Sequence, residues 1–166
     1  MGFFRFVGAN SARALRTPLV EAAYRSNAEK AAKAFDQGDY NSAYGYVVEN
    51  KVMDEFHGKV LNSGQIVKFK TDRGFVKTDI DMETDTGVYQ IKSGAGLMSQ
   101  SQAQATIMYA EQQGKTPILM YNEGLVKDDN LNLRDLRQKY PQFQLVPRND
   151  WATNPKEYFD KNGVGH

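Results

Sequence analysis

The sequence predicts an α/β domain built on a mixed sheet, and three observations lead to that class. Apolar residues recur at steps of three and four between residues 42 and 64, which is the spacing of a helix. Three short runs then alternate with a period of two, as strands do, and beyond residue 96 helical and strand-like segments alternate. An antiparallel group followed by helix and strand in alternation predicts a mixed sheet with helices on both faces.

The first elements are helical. An alanine-rich stretch with Pro18 near its start predicts one or two helices that end at Gly38. Apolar residues from Val48 to Val60 then predict a second helical segment that Gly64 closes.

The later elements are predicted from the spacing of their apolar residues. QIVKFK, GFVKTDIDM and GVYQIKS, separated by TDRG and ETDTG, predict a three-stranded antiparallel meander. GLMSQSQAQATIMYAEQQG predicts a helix, TPILMYN a buried strand, NLRDLRQKY a short helix, FQLVPR a strand, and the tail from Trp151 an irregular segment or last short helix. We divide the chain into an N-terminal helical extension, residues 1–40, and a main domain, residues 41–166.

Composition limits the possible chemistry. The 166 residues contain no cysteine, which excludes disulfides, a thiol nucleophile and a cysteine zinc site. The net charge of +1 gives no overall attraction to nucleic acid, although a local basic surface is compatible with it. No apolar run approaches the roughly 18 residues that span a bilayer, so we expect a soluble protein without a membrane span.

The stretch DIDMETDTGVYQIK places polar side chains at alternate positions of two neighbouring strands. Asp79 and Asp81 would share one face of the first strand, and Gln90 and Lys92 one face of the second. Either pair alone is typical of a solvated strand face. Paired as a hairpin, they would bring a carboxylate that can bind a divalent cation next to an ammonium that can act on a phosphate.

This arrangement resembles the PD-(D/E)XK nucleases, which have the restriction-endonuclease-like fold. That family carries an acid on one strand, then Glu or Gln, any residue and Lys on the next strand, and a Glu on a preceding helix; TDID and QIK supply the strand residues here. The predicted order α-β-β-β-α-β over roughly residues 42–122 is similar to the family core. The resemblance implies a metal-dependent endonuclease, a phosphodiesterase acting on DNA or tRNA, with Mg²⁺ or Mn²⁺ as its ion and Zn²⁺ as a further option.

The resemblance also implies which residues would hold the ion. Asp81 stands where related strands carry the ligand, with Asp79 behind it. Glu49 in GYVVE matches the helical glutamate, and Glu55 is the second choice. The backbone carbonyl of Ile91 is a further expected ligand.

Two more catalytic positions follow from QIK. Gln90 replaces the usual Glu, so it can ligate through its amide oxygen but adds no negative charge. Lys92 would position the attacking water. Phosphate or nucleic-acid contacts are expected from Ser93, Gln102, Gln104, Lys68 and Lys70.

Length, absence of cysteine and the appended helical segment resemble the C-terminal nuclease toxin domains of bacterial contact-dependent inhibition systems. This resemblance implies a domain that is secreted within a larger bacterial protein, acts in the target-cell cytoplasm and is neutralised by a cognate immunity protein. Two alternatives remain: an inactive nuclease-fold module that binds nucleic acid or protein, and a small interaction domain whose Asp and Lys side chains are only solvated.

Overall fold

The computed structural model describes residues 16–164. Five helices and seven strands follow one another along this part of the chain: α1 (Pro18–Asp36), α2 (Tyr40–Glu55), β1 (Val60–Asn62), β2 (Gln65–Thr71), β3 (Gly74–Ile80), β4 (Met82–Thr84), β5 (Gly87–Lys92), α3 (Gln100–Gln113), β6 (Thr116–Asn122), α4 (Leu131–Lys139), β7 (Gln144–Arg148) and α5 (Pro155–Asn162).

The strands form two sheets. Five of them lie in the order β1-β4-β5-β6-β7, with antiparallel pairing from β1 to β5 and parallel pairing from β5 to β7. Strands β2 and β3 make a separate antiparallel ribbon. The predicted α/β class and mixed sheet are confirmed.

Helices cover both faces of the large sheet, because side chains of its central strands alternate between two apolar clusters. Tyr89 and Ile91 of β5 pack with residues of α1, α2 and α5. Leu119 and Tyr121 of β6 pack with residues of α3 and α4 on the opposite face. A strand buried on both faces needs apolar residues throughout, which explains the continuous run TPILMYN.

The second predicted helix was wrong in its length. Helix α2 ends at Glu55 rather than continuing to Gly64. His57 and Gly58 adopt left-handed φ angles of 45° and 84°, which turn the chain out of the helix. Val60, which continues the helical spacing, is buried instead as the first residue of strand β1.

The three-stranded meander was also wrong. The run GFVKTDIDM divides after Ile80 into β3, which pairs with β2, and β4, which pairs with β1 and β5. Asp81 belongs to neither strand, so Asp79 and Asp81 do not share one face of a regular strand. The backbone N–H of Ile91 donates to Asp81 Oδ2 at 2.7 Å. At the bend between β3 and β4, β5 is therefore bonded to a side chain instead of a strand backbone.

The remaining elements agree with the sequence. Helix α3 begins after Ser99, whose hydroxyl accepts from the Gln102 N–H, and ends at Gly114 in the left-handed conformation. The tail forms the last short helix, α5. No helix within residues 16–164 is both long and apolar enough to cross a membrane.

Helix α1 shares the main core. Val20 and Ala34 of α1 pack in the same cluster as α2 and the sheet. The proposed division at residue 40 stays a prediction, and residues 1–15 of that extension lie outside the described residues.

Candidate active site

The candidate site lies beside the end of β5. The β4–β5 ladder pairs Met82 with Tyr89 and Glu83 with Val88, and beyond Tyr89 the strand partner is replaced by the Asp81 carboxylate. Because the Ile91 N–H donates to Oδ2, this carboxylate is fixed against the backbone one residue before Lys92. The bend that interrupts the strand is therefore also what positions Asp81.

Glu49 reaches the same place from helix α2. Burial and the neighbouring Asp81 carboxylate raise the pKa of Glu49 to about 8. The charges of Lys92 and Lys30 and a hydrogen bond with Asn27 act in the opposite direction. Glu49 therefore lies within electrostatic reach of both predicted partners, Asp81 and Lys92.

The pKa of Asp81 is also raised. Burial raises the pKa of Asp81 to about 6, against the Ile91 hydrogen bond and the charge of Lys92, while the charge of Asp79 adds to the rise. Two carboxyl groups brought together in a sparsely hydrated place hold a proton more tightly than isolated ones do. Such a pair is stabilised in its fully ionised form by a bound cation.

The Glu49 shift predicts how stability depends on pH. Its pKa is raised above the usual 4.5 to about 8, so between these values the native state holds a proton that the unfolded chain has lost. The free energy of unfolding should therefore fall as pH rises through this window, and the loss should be complete above pH 8. Without divalent cations, we expect Glu49→Gln to remove the part of this fall that lies above about pH 6, the pKa of Asp81, and to stabilise the protein by roughly 2–4 kcal/mol above pH 8.

Urea denaturation across this pH range measures that prediction, with Glu29→Gln, a change at an exposed residue of helix α1, as the control. The control should keep the wild-type slope. A Glu49→Gln protein that loses stability in parallel with the wild type would contradict the proposed burial of a carboxyl pair.

Gln90 is buried and has its amide orientation fixed. Its Nε2 donates to the Asp79 carbonyl at 2.7 Å and to Thr106 Oγ1 at 3.1 Å. Since a backbone carbonyl only accepts, the amide nitrogen must face Asp79. Among residues 16–164, Oε1 of Gln90 accepts none of the hydrogen bonds found, so this oxygen is the part of the side chain available as a ligand.

The structure distinguishes the acids between which the sequence left a choice, Glu49 or Glu55 on the helix and Asp79 or Asp81 on the strand. Glu55 forms a bidentate ion pair with Arg148 at 2.6 and 2.8 Å, so of the two helix glutamates it is Glu49 that lies beside Asp81. Asp79 is exposed on β3 and influences the site through its charge on Asp81 and its carbonyl on Gln90.

The expected phosphate-binding residues are spread more widely. Ser93 is close to the site because it lies beside Gly45, which is one helical turn before Glu49 on α2. A Cβ on Gly45 would lie 3.6 Å from the Ser93 hydroxyl. Gln102 uses its side-chain oxygen to accept from the Ser99 N–H, and Gln104 borders a cleft between α3 and the β2–β3 turn. Lys68 and Lys70 are exposed on β2.

Helix α1 supplies residues that sequence reasoning missed. Asn27 and Lys30, one turn apart, both act on Glu49. Asn27 is buried and donates to Asn50 Oδ1 at 3.1 Å. One feature of the sequence could have indicated Asn27: it is a polar residue on the face of the helix whose other buried residues, including Ala31 and Ala34, are apolar.

The donor set at the site consists of oxygen atoms. No group of three or more His, Cys, Asp or Glu side chains within residues 16–164 is arranged to hold a metal ion. Glu49 and Asp81, with Gln90 Oε1 and the Ile91 carbonyl, would offer two carboxylates and two neutral oxygens. This set fits a hard cation such as Mg²⁺, which is commonly held by one or two carboxylates together with water and substrate phosphate. It lacks the nitrogen and sulfur ligands that are typical of Zn²⁺.

The chain matches no protein-family model, no curated protein and no solved structure.

Proposed function

We propose that this chain is a metal-dependent endonuclease of the PD-(D/E)XK type that hydrolyses phosphodiester bonds in DNA or tRNA. One observation carries the proposal: the charge of Asp81 raises the pKa of Glu49, and the charge of Lys92 lowers the pKa of both carboxyls. A glutamate of α2, an aspartate of the bend between β3 and β4 and a lysine of β5 come together here, as the family resemblance implies. A merely solvated strand face would not bury its acids in this way.

Each residue has a distinct part in the proposed chemistry. Glu49 and Asp81 would hold Mg²⁺ or Mn²⁺ in their ionised forms, with Gln90 Oε1 and the Ile91 carbonyl completing the set. When bound, such a cation lowers the pKa of a water molecule and offsets charge on the scissile phosphate. Lys92 would orient the attacking water and stabilise the charge that develops on the phosphate.

Cleavage assays test this proposal directly. Purified protein should cut supercoiled plasmid DNA or tRNA in the presence of Mg²⁺ or Mn²⁺, and EDTA should stop the reaction. Restoring the cation in excess of EDTA should restore cleavage. Failure to cut either nucleic acid with any of Mg²⁺, Mn²⁺ and Zn²⁺ would overturn the proposal.

The biological setting that we propose is interbacterial competition. The resemblance to toxin domains of contact-dependent inhibition systems supports a role as a toxin that acts in the target-cell cytoplasm and is neutralised by an immunity protein. Expression of the chain inside a bacterial cell should then arrest growth, whereas the Lys92→Ala protein at equal abundance should not. Equal growth of both cultures, at equal protein levels, would count against toxicity.

One observation favours an alternative function. Among the described residues 16–164, the site brings together two carboxylates, and Gln90 stands where a third acid is usual in the family that the chain resembles. A nuclease fold that has lost catalysis and kept nucleic-acid or protein binding would account for this. Such a protein would bind nucleic acid in EDTA and with Mg²⁺ alike, without cleaving it.

A further inference from the structure

The ribbon formed by β2 and β3 has two unlike faces. Val67 and Val76 on its inner face are buried against α3. The opposite face, which we call the outer face, consists of the exposed residues Ile66, Lys68, Lys70, Phe75, Lys77 and Asp79. The ribbon is therefore packed against α3 on its inner face and exposed on its outer face.

The outer face carries a net positive charge, since it holds three lysines and one carboxylate, that of Asp79. Lys68 and Lys77 are directly opposite each other in the strand pairing. Like charges at such positions destabilise a strand pair. Within residues 16–164, neither of these lysines nor Lys70 takes part in an ion pair. An anionic partner would relieve this repulsion.

Large apolar side chains lie among these lysines. Ile66 is 67% exposed and Phe75 is 63% exposed. Lys68 Nζ lies 4.3 Å from the centre of the Phe75 ring. Cations interleaved with an exposed aromatic ring fit a nucleic acid, whose phosphates meet the lysines and whose bases meet the apolar groups.

The outer face is also continuous with the candidate site. Asp79 ends the row of outer-face residues on β3, its carbonyl accepts from Gln90, and its charge acts on Asp81. A nucleic acid lying along the ribbon would therefore pass beside the two carboxyls. The whole chain has a net charge of only +1, so attraction of a polyanion depends on local basic surfaces such as this one.

We propose that the outer face of the β2–β3 ribbon is the docking surface for B-form DNA and that double-stranded DNA is the substrate class of the site. This inference rests on the proposed function. The major groove of B-form DNA admits a two-stranded ribbon, and ribbon proteins use strands in this way. The corresponding groove of an A-form RNA duplex is too deep and narrow to be read by side chains. Lys68, Lys70 and Lys77 contact phosphates, and Ile66 and Phe75 contact base edges.

Fluorescence anisotropy in EDTA tests docking separately from cleavage. The probes are a short DNA duplex and an RNA duplex of the same sequence, titrated with the full chain between about 50 and 200 mM salt. Wild type should bind DNA more tightly than RNA. Lys68→Ala/Lys77→Ala should weaken DNA binding about tenfold or more and reduce the salt slope by about two, because two phosphate contacts are lost.

Two further variants control for charge and folding. Lys33→Ala/Lys156→Ala removes two exposed lysines from helices on the other face of the sheet and should leave DNA affinity within about twofold of wild type. Lys68→Arg/Lys77→Arg keeps the charge and should restore binding. Thermal melting of each variant checks that the fold is intact.

Four outcomes would overturn the inference. These are DNA binding by Lys68→Ala/Lys77→Ala equal to that of the lysine control, RNA binding equal to or tighter than DNA binding, no wild-type binding to either duplex, and a dimer in solution that this variant abolishes. Cleavage assays separate this result from the proposed function. Ribbon-dependent DNA binding without cleavage would reject the nuclease and keep the docking surface, whereas DNA cleavage that is unaffected by the ribbon variant would do the reverse.

Discussion

Replacing Lys92 with alanine is expected to abolish cleavage, with a rate reduced on the order of 10²–10⁴-fold at saturating Mg²⁺ or Mn²⁺. The reason is that Lys92 is the cation that acts on both Glu49 and Asp81. Rates of plasmid or tRNA cleavage measure the effect. Lys59→Ala, which removes an exposed lysine from the turn after α2, is the matched control and should cut at the wild-type rate.

Lys92→Ala should also change the pH dependence of cleavage. Because the charge of Lys92 lowers the pKa of both carboxyls, its removal should raise both values further. Any residual activity of Lys92→Ala should then require a higher pH than the wild type does. Cleavage at the wild-type rate, or a pH profile that does not move, would remove Lys92 from the site.

Replacing each of the two helix glutamates with glutamine should affect cleavage to very different extents. Glu49→Gln is expected to reduce cleavage on the order of 10²-fold or more, since it removes one of two carboxylates at the site. Glu55→Gln changes a residue six positions along the same helix, and we expect activity within about threefold of wild type because Glu55 is paired with Arg148.

Cleavage rates at equal protein concentration measure this contrast, with unfolding midpoints recorded alongside. Loss of the Arg148 pair should lower stability by no more than about 1 kcal/mol, because Glu55 is half exposed. A large loss of activity in Glu55→Gln, with Glu49→Gln unaffected, would show that the site has been placed at the wrong end of helix α2.

The architecture was predictable where periodicity and capping agree. The predicted end of the helix at Gly114 is the end of α3 in the structure, and the apolar run after Gly114 forms a central strand. These signals are local, so a single sequence contains them. The α/β class followed from the order of such segments.

Two boundaries could not be predicted because long-range contacts decide them. Val60 continues the spacing of α2, yet pairing with Thr84 of β4 draws it into the sheet. Similarly, the alternation through Asp79 and Asp81 is typical of one strand, whereas in the structure Asp81 lies in a bend and its side chain accepts from the Ile91 N–H of β5. Hydrophobic period reports which residues are buried, but not against which partner.

The sequence indicated which acids and which lysine come together in the candidate site, but not the residues that surround them. Asp81, Gln90 and Lys92 lie in one short stretch, whereas Asn27 and Lys30 come from a helix that sequence reasoning had treated as an extension. Gln90 likewise depends on Thr106 and the Asp79 carbonyl, which hold its amide in place. Such supporting contacts come from packing and leave little trace in spacing.

The most direct test of the proposed site is a calorimetric titration of Mn²⁺ into the wild type and Asp81→Asn, at a pH above 8 where Glu49 has lost its proton. Asparagine keeps an oxygen that can accept from the Ile91 N–H, so the fold should be preserved while one ligand charge is removed. We predict a single Mn²⁺ bound by the wild type and no measurable binding by Asp81→Asn. No binding to the wild type, or equal affinity in both proteins, would contradict a metal site at Glu49 and Asp81.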